Sequence, residues 1–251
     1  IEDPDLRINV HVSDVTCSVA LDSSGMPLSK RGYRHERTLA PISEVLAAGI
    51  ILLSGWDQKS DFYDPMCGSG TFSIEAALIA RNIPFSRFRH FSFEKWNDFD
   101  PGLWEQVQKE AEEQVRAFEG RIFGSDMDRK AVEISVQNAR RAGVEGQISF
   151  KKNDFLSSTP EGEPGVVVLN PPYGERLQSD DIIAFYKEIG TRLKHYYNGC
   201  DAWIISANLD ALKFIGLKPS RKIKLFNGQL ECRLNKYELY RGSKKQGDLM
   251  A

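Results

Sequence analysis

The sequence predicts an α/β protein built on a mostly parallel, seven-stranded sheet with helices on both faces. Two observations support this fold class. From Ala40 onward, short apolar runs alternate with longer segments of helical period, which is the pattern of successive βαβ units. The last two apolar runs instead flank Asn227-Gly228, a turn typical of a hairpin, so we expect an antiparallel strand at one edge of the sheet.

A separate β-hairpin is predicted before this α/β region. The segments LRINVHV and VTCSVAL alternate with period two on either side of Ser13-Asp14. A lone hairpin is only marginally stable, so we expect it to complete the sheet of another unit. We therefore divide the chain into residues 1–30, the end of an N-terminal domain, and residues 31–251, the α/β domain.

The elements of the α/β domain follow from their local patterns. The first helix, within APISEVLAAGIILLSGW, carries Ser43 and Glu44 and is amphipathic rather than membrane-spanning. Short apolar runs predict the later strands, and most of the later helices follow such a run. In chain order the prediction is helix Pro41–Ser54, strand Asp61–Met66, helix Thr71–Ala80, helix Leu103–Phe118, strand Arg121–Ser125, helix Arg129–Ala142, strand Ile148–Lys151, strand Val166–Leu169, helix Asp181–Tyr197, strand Ala202–Ser206, a short helix Leu209–Ile215, and strands Lys222–Phe226 and Glu231–Leu239.

The composition is that of an ordinary globular protein, with 41% hydrophobic and 27% charged residues. The formal net charge of -2 does not indicate a stand-alone nucleic-acid binder, although KRGYRHER, RFRH and KPSRKIK are locally basic. Such runs are also typical of plain solvated surface. The four cysteines form no CxxC pair, so we expect no metal site and reduced thiols in the cytoplasm. No apolar run reaches membrane length and no signal peptide is visible, so we expect no membrane association.

The stretch DFYDPMCGSGTFSIEAA is the first candidate site. A strand leads into Asp64, a turn containing Cys67, Gly68 and Gly70 follows, and a helix begins near Thr71. Glycines in such a turn let a ligand approach the backbone and the free N–H groups of the helix, although a tight βα turn has the same pattern. A carboxylate at the strand end repels a pyrophosphate and attracts a cation. These features favour S-adenosylmethionine, which carries sulfonium and amino groups.

Acidic residues follow the next two strands as well. Asp126 ends the second strand, where a carboxylate commonly accepts both hydroxyls of a ribose, and Met127 is then placed to pack on the adenine. Helix capping is the alternative, and Asp128 is the better candidate for the cap. Asp154 follows the third strand and is placed to accept from the adenine amine, with Phe155 as an apolar wall, although a polar loop residue has the same pattern.

The fourth strand ends in Asn170-Pro171-Pro172-Tyr173. Ligands of open α/β sheets bind beyond the carboxyl ends of the strands, where this turn is predicted to lie. The prolines stop the ladder and leave the preceding carbonyls as acceptors, Asn170 adds a side-chain acceptor, and Tyr173 adds a planar face. This set suits a planar substrate that carries an NH2 group. A simple Asn-Pro turn is the alternative.

A further segment, PFSRFRHFSFEKW, interrupts the βαβ rhythm with many aromatic residues and several cations. Arg87 and Arg89 in this segment could contact RNA at the entrance of a site by stacking and phosphate binding. A hydrophobic cover over the sheet explains the same pattern equally well.

Taken in order, these stretches resemble class I S-adenosylmethionine-dependent methyltransferases that modify exocyclic or amide nitrogens, for which NPPY is a signature. LSKRGYR, APISEVLAAGIILLSGW, DPMCGSGTFSIEAA, GSDMD, NPPYGERL and FNGQLECRL together resemble the THUMP-bearing ribosomal RNA guanine-N2 methyltransferase family, whose members are often labelled N6-adenine-specific DNA methylases. The resemblance implies a Rossmann-like fold, with residues 1–30 as the end of a ferredoxin-like, THUMP-associated region. It implies cofactor binding by Asp64, Gly68, Gly70, Asp126 and Asp154, and contact of Asn170 to Tyr173 with the target base.

The resemblance implies methyl transfer to guanine N2 of large-subunit (23S) ribosomal RNA, with that RNA as the partner. Two alternatives stay open on the sequence. Adenine-N6 methylation of DNA or RNA uses the same turn, and so does N-methylation of a protein glutamine. A non-catalytic RNA-binding module is a third possibility, which the intact set of motifs disfavours. The NPPY turn contains no cysteine, which argues against a covalent pyrimidine adduct, and Cys67 is the better candidate for packing in the cofactor loop.

Overall fold

The computed structural model describes residues 4–34, 42–172 and 179–240. Two strands form the N-terminal hairpin, β1 (Ile8–Ser13) and β2 (Thr16–Leu21). The main sheet contains β3 (Asp61–Asp64), β4 (Ile122–Asp126), β5 (Ile148–Lys152), β6 (Gly165–Leu169), β7 (Asp201–Ser206), β8 (Arg221–Asn227) and β9 (Leu230–Glu238). The helices are α1 (Glu44–Ser54), α2 (Thr71–Ala80), α3 (Pro101–Glu113), α4 (Arg129–Arg141) and α5 (Ser179–Tyr196). A single 3₁₀ turn, Ala211–Phe214, occupies the place of the predicted short helix.

The main sheet has seven strands in the order β5-β4-β3-β6-β7-β9-β8, so the predicted fold class is confirmed. Strands β3 to β7 pair in parallel, and β9 is antiparallel to both of its neighbours. The antiparallel strand therefore comes from the closing hairpin, as expected, and it lies between β7 and the outermost strand β8. The chain passes from β3 outward to β5 and then returns to β6, so the strand order reverses between β3 and β6.

Apolar side chains cover the two faces of the sheet in separate layers. One layer joins α1 and α2 to the sheet through residues such as Ile50, Ile74 and Val168. The other joins α5 to the opposite face through Tyr186, Leu193 and Leu169. Because successive residues of a strand point to opposite faces, Val168 and Leu169 of β6 supply one layer each. The central strands are therefore buried on both sides, which explains their continuous apolar runs.

Residues 31–34 pack into the α/β domain. Tyr33 is 1% exposed, and its hydroxyl donates to Glu75 Oε1 of α2 at 2.9 Å. Arg31 pairs with the other oxygen of Glu75 at 3.4 Å, and Arg34 pairs with Glu44 of α1 at 2.9 Å. Burial raises the pKa of Glu75 to about 7, and the Arg31 charge and the tyrosine hydroxyl act against that rise. This short segment therefore completes the polar contacts of two core helices.

The aromatic segment between α2 and α3 forms two 3₁₀ turns whose rings contact one another and Trp104. Arg89 of this segment is 7% exposed and donates to the backbone carbonyls of Ser24, Met26 and Pro27 at 2.5 to 3.2 Å. Arg87 pairs instead with Glu112 of α3. For Arg89, these contacts favour a structural role in covering the sheet and disfavour RNA binding. Its guanidinium already donates to the chain that leaves the hairpin.

Candidate active site

Two of the predicted site residues lie at the carboxyl ends of neighbouring central strands. Asp64 ends β3, and Asn170 directly follows β6. These strands are parallel and hydrogen-bonded, with Tyr63 opposite Val167, so both ends open at the same edge of the sheet. The strand order reverses at this pair of strands, and such a switch point is where open α/β sheets bind their ligands.

Asp64 is a buried carboxylate with one oxygen unpaired. Oδ2 accepts from the Ser73 backbone N–H at 3.2 Å and from the Ser73 hydroxyl at 2.8 Å. Oδ1 has no hydrogen-bond partner among the described residues, and the residue is 1% exposed. Burial, together with the nearby Asp126 charge, raises the pKa of Asp64 to about 7, and the two Ser73 hydrogen bonds act against this rise. A buried acceptor in this state favours a ligand that brings a cationic donor.

Asn170 presents a second buried acceptor at the same edge. In the part of the chain that the structure describes, its Oδ1 has no hydrogen-bond partner, while the following Pro171 is buried and Pro172 is partly exposed. Proline has no backbone N–H, so neither residue supplies an internal donor to this oxygen. The predicted aromatic platform, Tyr173, lies outside the described residues. The described part of the turn therefore offers acceptors, which is what an NH2-bearing substrate requires.

The turn between β3 and α2 brings backbone close to the same edge. Gly70 caps α2 with a φ of +81°, and a Cβ added there would lie 2.8 Å from Ser135 Cβ. A side chain at this position is therefore excluded by both conformation and space. Gly70 has no side chain to cap α2, so the positive end of the helix dipole faces the site, where Asp64 takes the Ser73 N–H of the first turn. The Gly68 N–H donates to Asp126 Oδ2 at 2.9 Å and ties the turn to β4.

The two acidic residues at the end of β4 make different contacts. Asp126 accepts from Gly68 through one oxygen and from the Asp128 N–H through the other at 3.0 Å. Asp128 caps α4 by accepting from the Lys130 N–H at 2.9 Å, which confirms it as the cap. The backbone thus fixes the Asp126 carboxylate at the edge of the sheet, and each oxygen retains a lone pair for a ribose hydroxyl. Met127 is 70% exposed, so its thioether is free to cover a ligand.

Asp154 and Phe155 diverge after β5. Asp154 is exposed, and its Oδ1 accepts from the Leu156 N–H at 3.0 Å. Phe155 is 3% exposed and packs in the core with its ring centroid 5.6 Å from that of Tyr197. The ring therefore supports the loop from below, and its role as a wall for adenine stays a prediction.

Cys67 and Thr71 are both buried within the turn. Burial raises the pKa of the Cys67 thiol, with Asp64 and Asp126 adding to the rise, so the thiol stays protonated at neutral pH. A protonated thiol is a poor nucleophile, in agreement with packing. Thr71 Oγ1 accepts from Arg34 at 3.3 Å, which links the segment before α1 to the first turn of α2.

Sequence reasoning missed two residues that shape this site. Ser73 holds Asp64 by two hydrogen bonds, and Asn138 of α4 donates to the Ser69 carbonyl at 3.1 Å. The position of Ser73 in the first turn after a glycine-rich loop was an available signal, because the N–H groups there point toward the preceding strand end. Asn138 gave no such signal, since its contact spans 69 residues of sequence.

A small, open cleft lies beside this edge, on the face that carries Tyr63 and Phe123. Its walls include Pro65, Ser125 and Asn153, each next to a predicted cofactor residue, but none of the predicted residues lines it. The cleft thus borders the candidate site without containing it.

In the described ranges no group of three His, Cys, Asp or Glu side chains could hold a metal ion. No helix in the same ranges has the length and apolar character needed to cross a membrane.

The model of the UPF0020 family, described as the RMKL-like methyltransferase domain, matches residues 31–236. The chain belongs to this family. The UPF0020 match includes every predicted site residue from Asp64 to Tyr173. It describes the methyltransferase domain, so a THUMP-associated region in residues 1–30 stays a prediction.

Known proteins resemble this chain in sequence and in structure. A Synechocystis protein named "Putative RNA methyltransferase slr0064" is 38% identical over 243 residues, which are 96% of this chain and 63% of that protein. A crystal structure described as "SMU.472, a putative methyltransferase complexed with SAH" is 37% identical with a TM-score of 0.88, over 95% of this chain and 63% of that chain. A "predicted N6-adenine-specific DNA methylase" from Listeria monocytogenes is 34% identical with a TM-score of 0.84, over 93% of this chain and 61% of that chain. The chain thus spans less than two thirds of the length of each of these relatives.

Proposed function

We propose that the protein binds S-adenosylmethionine at the carboxyl ends of β3, β4 and β5. The observation that carries this proposal is the pair of buried, unpartnered oxygens of Asp64 and Asn170 at the switch point of the sheet. The residues present fit this cofactor. Asp64 Oδ1 offers a negative partner to its amino group, and Gly70 keeps the turn open to its backbone. Crystallisation of the SMU.472 protein with S-adenosylhomocysteine supports the same assignment.

We further propose that the methyl acceptor is an exocyclic amine of a nucleic-acid base, with guanine N2 of 23S ribosomal RNA as the first candidate. Nucleic acid as the partner is supported by the name of the Synechocystis relative, and reaction in the cytoplasm by four cysteines without disulfides. The target base leaves its stack, which costs a few kcal/mol. Stacking on Tyr173 would offset this by about 1–3 kcal/mol.

The chain contributes position and charge to the reaction. The cofactor, when bound, supplies a methyl group on positively charged sulfur. Asn170 Oδ1 and the Pro171 carbonyl accept the two N–H bonds of the amine, which draws the nitrogen lone pair out of the ring and directs it toward that methyl group. The new N–C bond forms as the C–S bond breaks, and the methylated amine loses a proton to water. A strong base is not required, because the amine becomes acidic once it is methylated.

Adenine N6 is the second candidate acceptor, and the description of the Listeria monocytogenes relative favours it. Adenine N6 and guanine N2 are both amines on a planar ring, so the acceptor pair beside Asn170 serves either one. The choice depends on the contacts to the rest of the ring.

The deciding experiment incubates the protein with S-adenosylmethionine and unmodified ribosomal RNA and identifies the methylated nucleoside by mass spectrometry. We expect N2-methylguanosine. N6-methyladenosine would replace the first candidate with the second. If the protein binds the cofactor but methylates neither RNA nor DNA, the proposal of a nucleic-acid substrate is wrong.

A further inference from the structure

The closing hairpin carries a net positive charge in an otherwise acidic chain. Residues 218–238 contain six Lys or Arg and two Glu, a formal charge of +4. The rest of the chain contains 27 Lys or Arg and 33 Asp or Glu, a formal charge of -6. The hairpin is formed by β8 and β9, the last strands of the sheet. Such an asymmetry indicates a surface that attracts an anionic partner.

Three of these cations share one face of the hairpin with an aromatic ring. Lys222 pairs with Asn235, Lys224 with Arg233 and Phe226 with Glu231 in the antiparallel register, so these six side chains point to one side. Leu234 and Cys232 point to the other side and are buried in the core. We call the first side, defined by Lys222, Lys224, Phe226 and Arg233, the basic hairpin face.

The basic hairpin face is open toward its tip, where Glu231 lies on the same side as the cations, and it is closed at its other end, where Asn235 is 4% exposed. Phe226 is 54% exposed, and the Lys224 ammonium lies 5.3 Å from the centre of its ring. Lys224 also pairs with Glu231 at 2.7 Å. In the described part of the chain, neither Lys222 nor Arg233 lies within ion-pairing distance of a carboxylate. Lysines on an edge strand also discourage sheet-to-sheet pairing, but that purpose does not account for an exposed phenylalanine next to them.

The hairpin extends past the edge that carries the candidate active site. Arg233 lies opposite Ser206, the last residue of β7, and three further residue pairs of β8 and β9 follow toward the turn. At about 3.3 Å per residue, the tip projects roughly 10 Å beyond the end of β7. Strand β8 is three places from β6 in the sheet, a lateral separation of about 14 Å. Phe226 is the part of the basic hairpin face that lies beyond this edge, since Lys224 pairs with Arg233 at the edge and Lys222 lies two residues further back. Nucleotides that flank a base held at Asn170 would therefore meet Phe226 first and then follow the face back to the lysines.

We propose that the basic hairpin face binds the single-stranded RNA that flanks the target nucleotide. Phe226 stacks on a flanking base, and Lys222, Lys224 and Arg233 contact the phosphates. Stacking accepts any base, and phosphate contacts do not distinguish one sequence from another. This face therefore contributes affinity and register, while the Asn170 turn selects the target base. This inference rests on the proposed nucleic-acid substrate.

The test measures the binding of a fluorescein-labelled single-stranded oligoribonucleotide by anisotropy at several salt concentrations. The double variant Lys222→Ala/Lys224→Ala should bind more weakly, and the slope of log affinity against log salt should fall by about 1.4, or about 0.7 for each lost phosphate contact. Phe226→Leu should weaken binding about tenfold with little change in slope, whereas Phe226→Tyr, which keeps a stacking ring, should bind normally.

The matched control is Lys59→Ala/Lys109→Ala, which removes two exposed lysines elsewhere on the surface. It should leave the slope within experimental error of the unsubstituted protein. Cofactor binding, measured by calorimetry, should be equal in all variants. If the hairpin variants bind RNA as the unsubstituted protein does, or if that protein does not bind the oligonucleotide, the inference is wrong. Failure of the proposed function is seen separately, as normal RNA and cofactor binding without a methylated nucleoside.

Discussion

Single residues determine the chemistry of the candidate site, and their types were more predictable than their surroundings. Asp64 and Asn170 stood out in the sequence because each polar residue ends an apolar strand. The missing partner of each side-chain oxygen could not be predicted, since it depends on how Ser73 and the prolines pack around the strand ends. The proposed roles of Phe155 and Met127 were equally uncertain from sequence, because burial separates a core ring from an exposed thioether.

Asp64→Asn should make the ligand-free protein more stable while it weakens cofactor binding. The folded-state pKa of Asp64 is raised from 3.8 to about 7, so the stability that this group contributes is present at low pH and lost as the pH rises through this window. Asparagine does not ionise, so the variant does not lose this stability, which amounts to about 1.4 kcal/mol per pH unit. Its melting temperature should therefore exceed that of the unsubstituted protein at pH 8, and the difference should shrink toward pH 4.

Calorimetry at pH 8 should show at least a tenfold weaker affinity of this variant for S-adenosylmethionine, because the neutral amide does not pair with the amino group. In the unsubstituted protein, the affinity should fall as the pH drops below about 7, where Asp64 becomes protonated. An affinity that is independent of pH and of the substitution would show that Asp64 does not contact the cofactor.

Asn170→Ala should lower the turnover of methyl transfer about 100-fold or more and change cofactor affinity less than threefold. The amide oxygen is proposed to hold the substrate amine rather than the cofactor, and loss of one preorganised polar contact typically costs this much in turnover. Rapid-quench kinetics with ribosomal RNA would measure the first quantity and calorimetry the second. A variant that loses cofactor affinity and turnover in parallel would assign Asn170 to the cofactor instead.

At the scale of elements, apolar periodicity predicted the strands and most helices, and it failed where contacts are distant in sequence. The aromatic segment after α2 forms two 3₁₀ turns, because its rings pack on one another and on Trp104 rather than along a helix face. The sequence could not assign Arg89 to the carbonyls of residues 24–27, since that contact joins positions more than 60 residues apart. Tertiary packing thus decides the structure of segments that have no clear period.

Arg89→Ala should loosen the connection between the hairpin and the α/β domain. The guanidinium is the shared donor to three carbonyls, so its removal leaves residues 24–27 without these partners. Hydrogen exchange of residues 22–30 should speed up at least tenfold, whereas exchange in β3 and β6 should not change. Arg87→Ala is the control, because Arg87 pairs with Glu112 on the surface and should have no such effect. Unchanged exchange in the Arg89 variant would mean that other contacts hold this segment.

At the scale of the whole molecule, the sequence predicted a mostly parallel seven-stranded sheet with an antiparallel strand, because alternating strands and helices form parallel βαβ units. It did not predict the order of the strands. The place of residues 31–34 was not predicted. Their cations and Tyr33 complete the surroundings of Glu75 and Glu44, two buried carboxylates on helices that otherwise read as apolar. Short sequence patterns do not reveal such partners, since a basic stretch has the same composition whether it is solvated or buried.

A protein that begins at residue 31 should therefore fold and bind S-adenosylmethionine, and one that begins at residue 35 should be clearly less stable. The longer form retains the Tyr33 and Arg31 contacts to Glu75, and the shorter form leaves that carboxylate without them. We expect a difference of several kcal/mol in the free energy of unfolding, measured by urea denaturation. Tyr33→Phe should reproduce about 1–3 kcal/mol of it. Equal stability of the two forms would show that Glu75 is satisfied without this segment.

The β1–β2 hairpin has a practical consequence for anyone who handles the purified protein. Ile8, Val10, Val12, Val19 and Leu21 are each more than half exposed, and the register places them on one side together with Cys17. The Cys17 thiol is free and exposed. An exposed apolar face and an oxidisable thiol on one small surface favour self-association of the protein during storage. Samples kept without reductant should accumulate covalent dimers and visible precipitate, and Cys17→Ser should eliminate the covalent species while leaving the exposed apolar face.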